Sequence, residues 1–119
     1  MAQIDYPHEI VTLVTHSSPG GGSDVFLREL ARNLGSKLGV EFVIENARGG
    51  SGAQAMARVA NAPADGSIFY AVTPTYIYTS LLSYPANNYN DLEPLVNVFF
   101  DEEVIYTRAN GPFQTLADV

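Results

Sequence analysis

Ile10-Val11-Thr12-Leu13-Val14-Thr15 runs directly into His16-Ser17-Ser18-Pro19-Gly20-Gly21-Gly22-Ser23-Asp24, and the junction between the two decides the fold. The first six residues are β-branched and largely apolar, the mark of a strand covered on both faces. Beyond the glycines a helical pattern begins. Leu27, Leu30, Ala31, Leu34 and Leu38 recur at i, i+3, i+4, i+7 and i+11, which is one apolar stripe. Arg28, Glu29, Arg32 and Lys37 lie off that stripe, and Gly39 is a natural C-terminal stop.

The chain then repeats the unit. Val40 to Asn46 reads as a strand, Ala47-Arg48-Gly49-Gly50-Ser51-Gly52 as a turn, and Gln54 to Ala62 as a helix with Met56, Val59 and Ala60 facing inward. Pro63-Ala64-Asp65-Gly66 punctuates the chain before a third strand, Ser67 to Thr73, which leads through Pro74 to a short helix from Tyr76 to Ser83. Leu95 to Phe100 and Val104 to Arg108 are two further strand candidates, separated by Asp101-Glu102-Glu103, and Thr115 to Val119 reads as the first turn of another helix. Alternating strands and helices with short joins predict right-handed crossovers and an α/β fold, a parallel sheet with helices on its faces.

Composition narrows the function classes. The 119 residues make one domain or a piece of a larger one, and 46% hydrophobic against 16% charged residues is enough to build a core. Six Lys+Arg against 13 Asp+Glu give a net charge of −7, which argues against nucleic acid as a partner, because phosphate binding needs a basic surface. With no Cys, disulfides and thiolate metal sites are excluded. No apolar run approaches the ~20 residues of a membrane-spanning helix. Met1-Ala2-Gln3-Ile4-Asp5 carries neither a basic region nor an apolar stretch, so these residues are not expected to form a signal peptide.

In open α/β sheets, ligands gather at the carboxyl ends of the strands. Three loops fall there: Thr15–Asp24, Asn46–Gly52 and Thr73–Thr75. Two are glycine-rich and open a helix. The backbone N–H groups of Gly20, Gly21 and Gly22 can approach a ligand closely, and at a helix start they lack intrahelical partners and favour negative charge. Ser17, Ser18, Ser23, Thr73 and Thr75 add neutral hydroxyl donors. Such a loop suits a carboxylate or a phosphate. The plainer reading is that the glycines only make tight turns, but two clusters at equivalent strand ends favour a ligand site. Asp24, in the first helical turn, is expected to cap backbone N–H groups, since its charge would repel an anion.

Catalytic and cofactor motifs are poorly matched. No Lys follows either glycine cluster as a phosphate-binding loop requires. Gly50-Ser51-Gly52-Ala53-Gln54-Ala55 fits a degenerate dinucleotide motif, but on the second strand, and Asp65 comes too soon to hold a ribose. Gly49-Gly50-Ser51-Gly52-Ala53 misses the nucleophile elbow at its last position. His8 and His16 lack metal-site spacing, and the Asp101–Glu103 run reads as a solvated turn, so no metal and no cofactor is expected. His16 either lines the ligand loop or packs beside it.

Pro19-Gly20-Gly21-Gly22-Ser23-Asp24-Val25-Phe26-Leu27-Arg28 followed by Val43-Ile44-Glu45-Asn46-Ala47-Arg48-Gly49-Gly50-Ser51-Gly52 resembles the Bug-type solute receptors of tripartite tricarboxylate transporters. Tyr6-Pro7, Asp65-Gly66 and Leu92-Glu93-Pro94-Leu95-Val96 match that family's landmarks in order, so the similarity runs from about Tyr6 to the last residue. The resemblance implies a three-layer lobe of a type II periplasmic-binding-protein, or Venus-flytrap, fold. It implies an extracytoplasmic, periplasmic protein that binds small carboxylates, namely di- or tricarboxylates, acidic amino acids or aromatic acids, and passes them to the membrane subunits of a transporter. It is no enzyme on that reading. Carried over residue by residue, the ligand contacts are Ser18, Gly21, Gly22 and Ser23, with Thr73 and Thr75, and Asp24 matches the family's acid at the helix start. Ser17 and Gly20 complete the loop; His16 is no part of the carry-over, but stands where this chain departs from the family's loop, and in its protonated form it could pair with a second ligand carboxylate.

Two departures qualify the transfer. The family's proline–aromatic–proline run is here His16-Ser17-Ser18-Pro19, a more polar loop, so ligand identity does not carry over. Family members are also much longer. The expectation is that residues 1–103 form the first part of lobe one, and that 104–119 form the hinge-crossing strand and the start of an incomplete lobe two. One lobe can cradle a ligand but cannot close over it, so weak binding is expected. An uncovered strand at 104–108 would invite a homodimer. Two rivals remain: a small α/β enzyme or phosphate-binding domain using both glycine loops, and an interaction module with no small ligand.

Overall fold

The computed structural model describes residues 5–100, 102 and 104–118. Met1–Ile4, Val119, and Asp101 and Glu103 of the acidic turn lie outside them. Six elements follow in order: β1 (Ile10–Thr15), α1 (Gly22–Leu38), β2 (Glu41–Asn46), α2 (Ala53–Ala60), β3 (Ile68–Tyr70) and α3 (Thr75–Ser83). All three strands are parallel, in the order β2-β1-β3. Ile10 pairs with Glu41 and Thr15 with Asn46 on one side of β1, and Thr12 with Ile68 and Val14 with Tyr70 on the other. The carboxyl ends of all three strands therefore lie at one edge of the sheet.

Side-chain alternation on β1 assigns the layers. Val11 and Leu13 point to one face and join Leu27 of α1 and Val40 in a buried cluster, with Phe26, Leu30, Leu38, Phe42, Ile44 and Phe69 packed around it. Val14 points to the opposite face and is fully buried, as are Ala55 and Met56 of α2. Helices thus cover both faces, the three-layer α/β arrangement expected from the sequence. α1 ends where its stripe ends: Gly39 takes a left-handed φ of 68°, and its N–H closes on the Gly35 carbonyl at 2.9 Å. Ahead of the sheet, the Tyr6 hydroxyl donates to the Gly66 carbonyl at 2.7 Å, and His8 Nε2 lies 2.9 Å from the Asp65 carbonyl oxygen, strapping the chain before β1 to the turn before β3.

The C-terminal part departs from expectation. Neither Leu95–Phe100 nor Val104–Arg108 forms a strand among the described residues, so the strand expected at 104–108 is not formed there. The physical reason is pairing. A β-prone sequence gains from extension only when a neighbouring ladder takes its N–H and C=O groups, and none lies alongside. Phe100, Ile105 and Tyr106 are each at least 86% exposed, and the main anchor of this stretch is Phe99, edge-on to Phe26 at 5.0 Å. The radius of gyration, 17.7 Å, exceeds the roughly 13.5 Å of a compact chain this long because the tail stands off the core. At 116–118 a single 3-10 turn replaces the expected helix start. No helix among the described residues is long and apolar enough to cross a membrane.

Leu27, 2% exposed, is the contact through which α1 holds the sheet. Leu27→Ala is expected to cost about 2–5 kcal/mol in urea denaturation. Val25→Ala, one turn face away and 56% exposed, is expected to stay within about 0.5 kcal/mol of the parent chain.

Candidate functional site

The carboxyl edge of the sheet gathers the loops after β1 and β2 through one buried carboxylate. Asp24, 2% exposed, accepts four hydrogen bonds. Its Oδ2 takes the Gly20 N–H at 2.8 Å and Arg28 Nε at 3.0 Å, and its Oδ1 takes Arg28 Nη2 at 2.9 Å and Asn46 Nδ2 at 2.9 Å. Asn46, the last residue of β2, also donates from Nδ2 to the Ser17 carbonyl at 3.0 Å. Arg48 Nη1 reaches Ser18 Oγ at 3.3 Å. The loop after the central strand is thereby tied to the end of its neighbour. The Arg28 bonds first, then the Gly20 N–H and the Asn46 amide, hold the Asp24 carboxyl well below the usual carboxylate range.

This network revises which amides are free. The Gly20 N–H belongs to Asp24, and the Gly21 N–H donates to the Ser18 carbonyl at 2.9 Å, so neither of these expected donors points to a ligand. Asp24 itself, with four donors on its oxygens, is a structural anchor. The first intrahelical bond of α1 is Val25 N–H to the Gly21 carbonyl at 2.9 Å, and no side chain caps the helix. The amides of Gly22, Ser23 and Asp24 are left as the orphan donors of the first turn. The Ser17 hydroxyl lies in the space a side chain on Gly21 would occupy and donates to the Ser18 carbonyl at 3.3 Å.

The other two loops adjoin this mouth to different degrees. Gly49, Gly50, Ser51 and Gly52 all take positive φ, and Gly52, at φ 100°, is the N-cap of α2, again without a side-chain cap. Thr79 of α3 donates to the Ser51 carbonyl at 2.6 Å. Thr73 and Thr75 bond each other at 3.0 Å, and neither bonds to the 17–24 loop. They stand at the same edge of the sheet without a direct link to the α1 mouth. His16 follows β1 and lies against Tyr70, with Nδ1 3.4 Å from the phenol oxygen. Burial lowers the imidazole pKa and pushes Tyr70 up to about 12. A concavity of about 610 Å³ lies along the outer edge of β2, lined by Arg28, Arg32 and Val40–Ile44, and none of the loop residues 16–24, 47–52 or 73–75 lines it.

The sequence reading missed Asn46 and Arg28 as partners of Asp24. The i, i+4 spacing of Asp24 and Arg28 was a usable signal, whereas the Asn46 link depends on strand pairing.

The folded pKa of Asp24 lies below the unfolded value of about 3.9. Its charge therefore contributes fully above about pH 5 and progressively less as acidity grows. Asp24→Asn is expected to lower the urea midpoint at pH 7 and to flatten the loss of stability between about pH 4 and pH 2. Parallel acid limbs in the two chains would count against this network.

No family model matches the chain. Curated relatives do. A UPF0065 protein from the TAR-I ttuE-ttuC' intergenic region of Agrobacterium vitis is 32% identical over 99% of this chain and 35% of its own length. Protein BugT of Bordetella pertussis is 32% identical over 90% of this chain and 33% of its own. A UPF0065 protein from the tcbD-tcbE intergenic region of Pseudomonas sp. is 26% identical over 96% and 34%. The chain thus spans about a third of the length of these relatives. A solved structure of R. palustris Rpa4515 with adipate aligns with a TM-score of 0.56 and 43% identity, covering 59% of this chain and 23% of that one. That likeness fits part of one α/β lobe. Over the third of the family's length that it spans, the chain belongs to the Bug-type (UPF0065) proteins.

Proposed function

We propose that this chain carries one side of a carboxylate-binding site, and that the longer protein is an extracytoplasmic receptor delivering small carboxylates to the membrane subunits of a tripartite transporter. On this reading residues 1–103 belong to the first lobe of a flytrap, residues 104–119 lead toward the second, and the protein performs no catalysis. One observation carries the proposal: the α1 mouth presents the uncapped amides of Gly22 and Ser23, in a fold shared with a protein solved with adipate. A carboxylate suits that mouth. Two N–H groups match its two oxygens, and the helix dipole stabilises its charge.

The contact set differs from the sequence expectation. Gly22, Ser23 and Ser17 are the core of the cradle, Ser18 stands at its rim beside Arg48, and Thr73 and Thr75 contribute from the third loop. Gly20, Gly21 and Asp24 shape the mouth from behind. The enzyme alternative has less support. His16 has Tyr70 as its partner, with no serine hydroxyl or carboxylate among the described residues bonded to the ring, and Asp24 accepts four hydrogen bonds from the protein itself.

Binding to the isolated chain is expected at a Kd on the order of millimolar, about −4 kcal/mol, because one lobe supplies contacts without closure. Amide NMR with adipate should give saturable shifts at Gly22 and Ser23. Gly22→Pro tests the cradle directly. Gly21 already sits at φ −73° and ψ 166°, the conformation a following proline requires, and proline is favoured at a first helical position. The variant should keep the parent's stability while adipate binding weakens roughly ten- to a hundredfold, the value of one hydrogen bond to a charged group. Unaltered binding in a folded Gly22→Pro chain would remove the α1 mouth from the site.

A further inference from the structure

His16 stands where three elements meet. It follows the last residue of the central strand, and β3 ends beside it at Tyr70, which pairs with Val14. Gly52, the N-cap of α2, closes the remaining side. A Cβ at Gly52 would lie 3.7 Å from His16 Cβ and Cγ and 3.0 Å from the Tyr70 hydroxyl, so the absence of a side chain there is what lets imidazole and phenol share the space. The two rings meet edge to face, with centroids 6.4 Å apart. With the phenol donating to Nδ1, the neutral ring carries its proton on Nε2, and Nε2 has no bond to any described residue. Of the charged groups at this edge, Asp24 is paired with Arg28 and Glu45 with Arg58, while Arg48 reaches the Ser18 hydroxyl at the rim of the mouth. None of them bonds the imidazole, and Tyr70 is the titratable group that faces it.

We propose that His16 is the specificity-determining residue of the carboxylate site, receiving the second carboxylate of a dicarboxylate through Nε2 and taking up one proton from solvent as it does so. The inference rests on the cradle reading above, with the first carboxylate on the α1 amides. In the free protein, burial alone depresses the imidazole pKa, so the ring is neutral at pH 7. A carboxylate brought within about 4–6 Å reverses that preference by roughly 1–3 units. Tyr70 serves both states: its hydroxyl donates to the neutral ring and accepts from Nδ1–H of the protonated one, and its own raised pKa keeps it a phenol throughout. A dianion thereby enters a chain of net charge −7 with one of its charges neutralised at the site. A monocarboxylate with an apolar tail gives His16 no reason to protonate.

The test is NMR of the histidine C2–H resonances of the full chain across pH, free and with adipate or hexanoate. His8, strapped to Asp65 ahead of the sheet, serves as an internal reference. Adipate should raise the His16 midpoint by about one unit or more, leave His8 unmoved, and bind about tenfold more tightly at pH 6 than at pH 8. Hexanoate should shift the Gly22 and Ser23 amides without moving His16 or depending on pH. His16→Gln should keep the amide shifts with adipate and lose their pH dependence. If adipate shifts the amides while His16 titrates as in the free chain, the inference is overturned and the cradle reading stands. If neither acid shifts the amides, both fall.

Discussion

A single buried carboxylate organises the carboxyl edge of the sheet in this protein. Burying a charge is costly unless it is paired and hydrogen-bonded, and Asp24 meets that demand with donors from three places: the loop before its helix, the next turn of the same helix, and the end of the neighbouring strand. Satisfying it fixes the loop after β1 in one conformation and registers that loop against β2. The mouth of α1 is a consequence. Because Gly20 folds back onto the carboxylate, the chain enters the helix at Gly21 with an extended backbone, and the first-turn amides are directed away from the protein's own acceptors.

On the proposed reading, the same arrangement lets a strongly acidic chain offer a place for an anion. Net charge acts at long range and is screened within about 8 Å at physiological salt. The α1 amides act at contact distance. The one acidic group nearest the mouth is neutralised by Arg28, which takes both of its oxygens. Arg28 does not reach the ligand in this reading. It makes the site hospitable by cancelling a charge behind it.

The layers and the order of the first six elements were legible in the sequence, because periodicity reports burial and β1 is buried on both faces. The boundaries held to within a residue or two for β1, β2 and α3, while β3 is shorter than the apolar run from Ser67 to Thr73 because only Thr12 to Val14 pair with it. The tail failed for the same reason in stronger form: Leu95–Phe100 has the composition of a strand, but strand formation is a property of a pair. In the candidate site, residue types pointed to the loops that the fold brings to one edge of the sheet. They left undetermined which amides were free, since that depends on where the Asp24 carboxylate turns, and the Gly20 and Asn46 bonds that decide it come from tertiary geometry.

The bond from Thr79 to the Ser51 carbonyl makes α3 a brace for the left-handed turn that opens α2. α3 packs against α2 and the turn before it, with Leu81 and Leu82 exposed to solvent. Fraying of α3 therefore releases the one L-residue held at positive φ in that turn, and with it the cap that confines the imidazole–phenol pair. Under the role proposed for His16, thermal softening of α3 is felt first as a loss of discrimination between acids, before any loss of the proposed cradle.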